Sequence, residues 1–477
     1  MAEHYKPNKY KQWQLTLEQR FQETFPPLRE KEAITEANRC LYCYDAPCMT
    51  ACPTHIDIPT FIRKISTGNT RGSAKTILES NLLGATCSRV CPVQELCEGA
   101  CVLQDEEKPI MIGRLQRYAM DYAADRKIQF FRPGKPNGKK VAVVGAGPAG
   151  LSCAGELAKL GFDVTCYEKK PWAGGLDTYG IVVFREPVEV SLTEVKTIEA
   201  LGVKIKTDVN VGKDITIDEL LAQHDAVFLS VGLGSVPPME IPGENLNGVL
   251  DGLDFIEETK TKPLKDIKFG SKVVVVGAGN TAIDCATIAR RLGSERVTIV
   301  YRRSETEMPA YQHEYHFALG DGVSFMFLTQ PIEIIGDKNG NVEAIKCVRM
   351  DLGEPDASGR RSPVPLEGSE FVTACDMVIT AIGQLKDKPL LTLLKEKYGI
   401  GDVKGYIEVD PTTNQTKHPK IYAGGDCIRS KGEASTVMAV QDGKIAAKGI
   451  LKQLIGEHAL PKEKEHSCCA QVGAHSH

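Results

Sequence analysis

Two stretches of the chain show the same hydrophobic pattern, a short run of β-branched residues that ends in a glycine-rich turn. The first reads VAVVGAGPAG at 141–150, and the second reads VVVVGAGN at 273–280. Apolar positions at helical spacing follow each turn, and a second apolar strand comes next, at 164–168 and at 297–301. This order predicts two βαβ units of the dinucleotide-binding type, and therefore an α/β fold.

The first 130 residues show a different pattern. Their apolar positions recur at helical spacing, as in 58–66 and 113–124, which predicts a helical domain over 1–130. The segment 131–140 is rich in Pro, Gly and Lys, which is typical of a linker. Near the other end of the chain, 435–454 has the pattern of one long helix.

Residues 461–477 are charged at first and then rich in Cys, Ser and His. Polar composition of this kind does not bury enough apolar surface to fold, so a disordered tail is expected there. The tail contains four residues of metal-binding type, Cys468, Cys469, His475 and His477. Its composition favours an untethered tail over a metal site.

Composition places the chain among soluble globular proteins. The 477 residues suggest roughly two to four domains, and the chain is 42% hydrophobic and 25% charged. The sequence lacks an apolar run of about eighteen residues, and its first residues lack the apolar stretch of a signal peptide. We therefore expect a cytoplasmic protein that does not cross a membrane. A net charge of −4 disfavours a dedicated nucleic-acid binder.

Half of the sixteen cysteines lie between positions 40 and 101, in two runs. The first run is Cys40-x2-Cys43-x4-Cys48-x3-Cys52-Pro, and the second is Cys87-x3-Cys91-Pro-x4-Cys97-x3-Cys101. Closely spaced thiolates are the ligands of iron–sulfur clusters, and eight of them suit two four-iron clusters. Zinc is the alternative. We favour iron and sulfur, because the second run has no C-x2-C knuckle and because zinc carries no electrons for the flavin site described next.

The first glycine-rich turn has the features of an FAD site. It reads G-x-G-x-x-G directly after a strand and before a helix, so that the backbone can approach a pyrophosphate at the helix N-terminus. Glu168 ends the next strand, where a carboxylate can accept from ribose hydroxyls. A second glycine pair and a distant Gly-Gly-Asp turn complete the site. The candidate residues are Gly145, Gly147, Pro148, Ala149, Gly150, Glu168, Gly174, Gly175, Leu176, Gly425 and Asp426.

The second turn has the features of a nicotinamide nucleotide site. Its candidate residues are Gly277, Ala278, Gly279, Asn280 and Thr281. Arg302 and Arg303 follow the next strand, where an arginine can pair with the 2′-phosphate of NADP and an NAD site usually has an acidic residue. The sequence therefore favours NADP(H). The alternative is that the two arginines form surface ion pairs with Glu305 and Glu307.

These motifs together resemble a known family. The stretches CLYCYDAPCMTACPTHIDIP, CSRVCPVQELCEGAC and IGRLQ resemble the N-terminal half of dihydropyrimidine dehydrogenase, and in particular bacterial subunits that carry only the NAD(P)H-oxidising half. They also resemble the small subunit of glutamate synthase. The resemblance covers roughly residues 20 to 455.

The resemblance implies a helical iron–sulfur domain over 1–130, an FAD domain over 139–265 and 384–460, and an NAD(P)H domain over 266–383 inserted into it. It implies that one [4Fe-4S] cluster is held by Cys40, Cys43, Cys48 and Cys101. It implies that the other is held by Cys52, Cys91, Cys97 and Gln116, with Cys87 as a bystander, although spacing alone would make Cys87 a ligand.

The resemblance also adds nucleotide contacts. For FAD it adds Arg185 and Thr436, and for the nicotinamide nucleotide it adds Ala381, Ile382 and Gly383. In one place the sequence departs from the family, because a further basic residue expected shortly after the arginine pair is replaced by Met308 or Pro309. This departure leaves NAD(H) open beside NADP(H).

The function implied is that of an electron-input subunit. NAD(P)H is oxidised through FAD and two clusters, and a partner that carries FMN and further iron–sulfur clusters reduces uracil or thymine in pyrimidine catabolism. A hetero-oligomer without nucleic acid or membrane is expected. The alternatives are a glutamate synthase small subunit and a general NAD(P)H-dependent electron-transfer flavoprotein. No general acid or base of this chain is assigned.

Overall fold

The structure is a computed structural model that describes residues 15–105, 107–355, 361–429 and 434–459. The four metal-binding candidates of the tail lie outside the described residues. No helix in the described ranges is both long enough and apolar enough to span a membrane.

The described residues begin with a helical domain. Its helices are α1 (Leu17–Arg20), α2 (Glu30–Ala37), α3 (Pro47–Ala51), α4 (Ile58–Ser66), α5 (Thr70–Ser80), α6 (Gly84–Val90) and α7 (Ile112–Asp125). Polar caps set the ends of the longer ones, since the side chain of Asp57 accepts from the amide of Thr60 at the start of α4, and Asn69 caps α5 in the same way. The helices enclose a core that includes Phe61 and Leu115.

The first dinucleotide sheet follows. Its elements are β1 (Lys140–Val144), α8 (Pro148–Lys159), β2 (Asp163–Tyr167), α9 (Leu176–Tyr179), α10 (Val188–Glu199), β3 (Lys204–Lys206), α11 (Ile217–Gln223) and β4 (Ala226–Leu229).

The second sheet and an antiparallel layer come next. Their elements are β5 (Val249–Asp251), α12 (Gly252–Thr261), β6 (Lys272–Val276), α13 (Asn280–Leu292), β7 (Arg296–Val300), α14 (Gln312–Gly320), β8 (Ser324–Met326), β9 (Thr329–Gly336), β10 (Val342–Pro355), β11 (Arg361–Pro365), β12 (Phe371–Ala374) and β13 (Met377–Thr380).

The chain then returns to the first sheet. The last elements are α15 (Lys388–Tyr398), β14 (Asp402–Val403), β15 (Tyr406–Ile407), β16 (Ile421–Ala423) and α16 (Thr436–Leu454). The first sheet has the order β16-β4-β1-β2-β3, and the second has the order β5-β13-β6-β7-β8. All pairings in both sheets are parallel. The α/β class and the order of a helical domain before two dinucleotide folds are therefore confirmed.

One domain boundary differs from the sequence expectation, which assigned 249–265 to the FAD domain. In the structure β5 pairs with β13, so this strand belongs to the second sheet. The strand has only three residues, too few for a periodic pattern to reveal which sheet it joins.

Helix α16 joins the first sheet to the helical domain. It packs along α8, where the hydroxyl of Ser152 donates to the carbonyl of Val440. On its other side, Nζ of Lys444 donates to the carbonyls of Thr54 and Ser80 in the helical domain, at 3.0 and 2.6 Å. These contacts fix the position of the cysteine-rich domain relative to the first nucleotide site.

Candidate functional site

Four thiols line one apolar cavity in the helical domain. Cys40 and Cys43 lie between α2 and α3, Cys48 lies in α3, and Cys101 lies between α6 and α7. Apolar side chains such as Ile62 and Ile112 form the rest of the wall. Burial and the neighbouring thiols raise the pKa of Cys48 to about 12. Four thiols crowded in an apolar wall fit a group that brings its own positive charge, as the irons of a cluster do.

The second cavity contains the other predicted ligands. Cys52, Cys91, Cys97 and Gln116 all line it, and Cys87 lines it as well. Nε2 of Gln116 donates to the carbonyl of Gly84 at 2.8 Å, which leaves Oε1 as the atom that can face a metal. The donor set fits a cluster with three thiolates and one amide oxygen. It fits four thiolates equally well, so the choice between Cys87 and Gln116 stays a prediction.

The first nucleotide cradle is built by close backbone approaches. Gly145 has φ +93°, and a Cβ added at Gly150 would lie 2.0 Å from the carbonyl oxygen of Gly145. The amide of Gly174 donates to the carbonyl of Ala146 at 2.7 Å, which brings the second glycine pair onto the turn. Only glycine fits these positions, and α8 begins at Pro148 with its free amides at the turn. This cradle fits a pyrophosphate.

Two acidic residues assigned to FAD, Glu168 and Asp426, lie beside the glycine turns, and their contacts with the nucleotide stay a prediction. Glu168 is 6% exposed and accepts from the amides of Ala146 and Lys170, both at 2.9 Å. Burial raises the pKa of Asp426, which follows Gly425 at φ +78°. A Cβ at Gly425 would lie 3.2 Å from that of Ala149, so the distant turn closes onto α8.

Two other residues assigned to FAD have partners of their own. The hydroxyl of Thr436 donates to Oδ1 of Asp177 at 2.6 Å, within the cradle. The guanidinium of Arg185 pairs with Asp284 at 3.1 Å and with Glu314 at 2.5 Å. Arg185 therefore joins the two nucleotide domains. The sequence did not indicate this role, because the two acidic partners lie 99 and 129 residues away along the chain.

The second nucleotide turn has the same construction. A Cβ at Gly277 would lie 2.2 Å from the carbonyl oxygen of Ala381, which brings the 381–383 segment against the turn. The side-chain oxygen of Asn280, at the start of α13, accepts from the amide of Tyr311. This contact ties the turn to the segment that follows the arginine pair.

The arginine pair lies just beyond β7. Arg302 is exposed, and Nε of Arg303 donates to the carbonyl of Arg361 at 2.9 Å. The carboxylate of Glu307 accepts from the amide and the hydroxyl of Ser304. Pro309 lies about 4.0 Å from where a Cβ of Gly279 would be, in contact with the phosphate turn. That the pair meets the ribose end of a nucleotide on that turn stays a prediction.

A buried charged cluster lies between the helical domain and the FAD cradle. It belongs to none of the motifs found in the sequence. Nζ of Lys260 donates to the carbonyls of Asp177 and Glu186, and the hydroxyl of Thr86 donates to Oε1 of Glu186 at 2.6 Å. Burial raises the pKa of Glu186 to about 7 and lowers that of Lys260. A signal existed in the sequence, because Lys260 falls four residues after Ile256, on the face of α12 that periodicity predicts to be buried.

Glu194 gives this region a predicted pH dependence. Its carboxylate accepts from the amides of Ala85 and Thr86, and burial nevertheless raises its pKa to about 7. The folded chain therefore holds a proton that the unfolded chain releases near pH 4.5, and stability falls as pH rises from there through about 7. The loss is on the order of 3 kcal/mol. The apparent melting temperature of Glu194→Gln should fall less over this range than that of the wild type.

The matched control for that measurement is Glu199→Gln, at the exposed end of the same helix. It should keep the wild-type dependence on pH. An unchanged pH slope in Glu194→Gln would show that the buried carboxyl is not the source.

Comparison with known proteins identifies relatives of both parts. Residues 17–128 match the family model for dihydropyrimidine dehydrogenase domain II with a 4Fe-4S cluster, and 139–443 match the model for pyridine nucleotide-disulphide oxidoreductases. The small chain of the NADPH glutamate synthase of Escherichia coli is 37% identical over 91% of this chain and 94% of its own length. Subunit PreT of the NAD-dependent dihydropyrimidine dehydrogenase of the same organism is 35% identical over 91% and 97%.

Other relatives are longer, and this chain spans 59–67% of their length. Among solved structures, FprA of Mycobacterium tuberculosis in complex with NADPH is similar, with a TM-score of 0.55 and 22% identity. The match covers 67% of this chain and 85% of that one, and at this identity it shows a shared fold.

Proposed function

We propose a function from the premise that this chain belongs to the pyridine nucleotide-disulphide oxidoreductase family and joins its FAD and NAD(P)H folds to a 4Fe-4S domain. The chain is an iron–sulfur flavoprotein oxidoreductase that transfers electrons. The proposal is that it contains two clusters and serves as the input subunit of an enzyme that reduces uracil or thymine to the 5,6-dihydropyrimidine. Its partner would be a separate subunit that carries FMN.

The proposal rests on the contacts of the first residues of α16. Thr436 bonds to Asp177 in the FAD cradle, and the next residue, Val437, lines the second thiol cavity. One helical turn therefore contacts both sites. When bound, FAD accepts hydride from the nicotinamide and the clusters accept single electrons.

The residues of the chain bind and orient these groups. Gly145, Gly147 and Gly150 admit the pyrophosphate of FAD, and the carboxylates of Glu168 and Asp426 are placed for hydroxyl groups. The 277–281 turn holds the other nucleotide on the facing domain. Arg185 pairs with Asp284 and Glu314 across the two domains, which keeps the two nucleotide sites in register. One cluster would be held by Cys40, Cys43, Cys48 and Cys101. The other would be held by Cys52, Cys91, Cys97 and Gln116.

Pyrimidine reduction is favoured over glutamate synthesis by Gln116. The resemblance to dihydropyrimidine dehydrogenase assigns a glutamine ligand to this place, and Gln116 lines the second cavity with its amide nitrogen already bonded elsewhere. The specific observation for the second candidate is the glutamate synthase small chain, which is similar over nearly its whole length.

Reconstitution with the native partner separates these functions. The partner that copurifies with a tagged chain is identified, and NADPH oxidation by the complex is measured with uracil, with thymine, and with glutamine plus 2-oxoglutarate. Dependence on a pyrimidine supports the proposal. Dependence on glutamine and 2-oxoglutarate, or activity with neither, contradicts it.

The arginine pair should set a preference for NADPH. Each charge-assisted contact to the 2′-phosphate contributes about 1.5–3 kcal/mol. The double variant Arg302→Gln/Arg303→Gln should therefore raise the KM for NADPH by at least about tenfold and leave that for NADH nearly unchanged. Steady-state kinetics with both nucleotides measures this.

Arg296 provides the control, because it begins β7, the strand that ends just before the pair. Arg296→Gln should change neither KM. Equal increases for the two nucleotides in the double variant, or a wild type that prefers NADH, would count against this assignment.

A further inference from the structure

Asn81 is a buried amide at the edge of the second thiol cavity. It follows the last turn of α5, is 0% exposed and is one of the residues that line this cavity. Its Oδ1 accepts from the amide of Leu83 at 2.9 Å, which fixes the orientation of the side chain. Within the described residues its Nδ2 interacts with the Cys87 thiol but has no acceptor at normal hydrogen-bond distance.

A buried NH2 group with only a neutral thiol beside it is poorly satisfied, so a stronger acceptor is expected when the cavity is filled. The other polar groups that line the cavity are mainly sulfur atoms, those of Cys52, Cys87, Cys91 and Cys97. Gln116 orients its own amide the other way, with Nε2 on the carbonyl of Gly84. Asn81 therefore directs a hydrogen-bond donor, Nδ2, towards the cavity, whereas Gln116 directs an acceptor, Oε1, towards it.

We propose that Nδ2 of Asn81 donates a hydrogen bond to a sulfur of the second cluster, either an inorganic sulfide or a ligating thiolate. This hydrogen bond raises the midpoint potential of the second cluster. The inference rests on the proposed function, since it requires a cluster in this cavity. A hydrogen bond to sulfur stabilises the reduced cluster more than the oxidised one, because reduction adds negative charge to the acceptor. Asn81 then makes the second cluster a better electron acceptor, and this cluster is the one next to α16 and the FAD cradle.

The test is a redox titration of Asn81→Leu followed by EPR. Leucine is close to asparagine in size, removes both donors and changes no charge. The midpoint potential of the second cluster should become more negative, while that of the first cluster and the iron content stay as in the wild type. An unchanged potential would overturn the inference and would indicate that Nδ2 of Asn81 donates to the Cys87 thiol instead.

Asn81→Asp and Asn69→Asp form a matched pair of substitutions. Each aspartate keeps an oxygen to accept the local amide, that of Leu83 or that of Gly72, and each adds the same charge. Asn69 caps the other end of α5 and is exposed. The potential of the second cluster should fall in Asn81→Asp and stay constant in Asn69→Asp. Equal potentials in the two variants would count against a role for the Asn81 donors.

A measurement on the wild type covers the case in which Asn81→Leu loses its cluster. Protein labelled with 15N at the asparagine side-chain amide should show a 15N coupling to the reduced second cluster in pulsed EPR. Absence of this coupling would overturn the inference. Failure of the proposed function is a different result, because a wild type with about four irons per chain would lack the second cluster altogether.

Discussion

Replacing Cys97 with serine should halve the iron content of the purified chain, whereas replacing Cys87 with serine should leave about eight irons per chain. Both thiols line the same cavity, so the two variants differ only in which sulfur is lost. The expectation follows from the ligand set Cys52, Cys91, Cys97 and Gln116, in which Cys87 is a bystander. Colorimetric iron analysis on protein purified under anaerobic conditions measures the effect.

Gln116→Ala completes this comparison. It removes the proposed amide ligand and should destabilise the second cluster, as Cys97→Ser does. If Cys87→Ser instead lost half of its iron while Gln116→Ala kept all of it, then Cys87 would be the fourth ligand. The part of the proposal that favours pyrimidines would then lose its support.

The isolated chain should oxidise NADPH with an artificial electron acceptor and leave uracil and thymine unreduced. The described residues form a helical domain and two nucleotide sheets with their antiparallel layer, and none of these elements builds an FMN barrel. Reduction of a pyrimidine carbon also requires a proton donor within hydrogen-bond reach, and no such role is assigned to a residue of this chain. Addition of an FMN-bearing partner should turn on pyrimidine reduction from an undetectable level.

The assay is NADPH oxidation with product analysis, with and without the partner. Pyrimidine turnover by the chain alone would falsify the division of the enzyme into two halves. If a partner instead yielded glutamate, the division would survive and the choice of substrate would be wrong.

Much of the fold followed from local patterns. The spacing of apolar residues predicted a helix over 58–66, and the structure has α4 at Ile58–Ser66. After a first exposed lysine, strands β1 and β6 are apolar runs that lead into glycine turns, a pattern that depends little on the rest of the chain. The thiols of the first cavity could be grouped only through the family resemblance, because Cys101 lies far along the chain from the other three.

The features that the sequence did not reveal depend on contacts between distant segments. Strand β5 is too short to show which sheet it joins. The partners of Arg185 lie in α13 and α14, and the buried contact between Glu186 and Thr86 joins two domains. The position of the Asn81 amide at the second cavity depends on the fold of the whole helical domain. None of these features follows from periodicity, because each is set by packing rather than by local sequence.

We infer that electrons from NAD(P)H enter FAD and reach the clusters within this one chain. The most direct test is to add NADPH to the isolated protein without oxygen and to record flavin absorbance and low-temperature EPR on the same sample. We expect the oxidised flavin band to disappear and the EPR signals of reduced four-iron clusters to appear in the same sample. A flavin that is reduced by NADPH while the clusters stay oxidised, although dithionite can reduce them, would contradict electron transfer from FAD to the clusters.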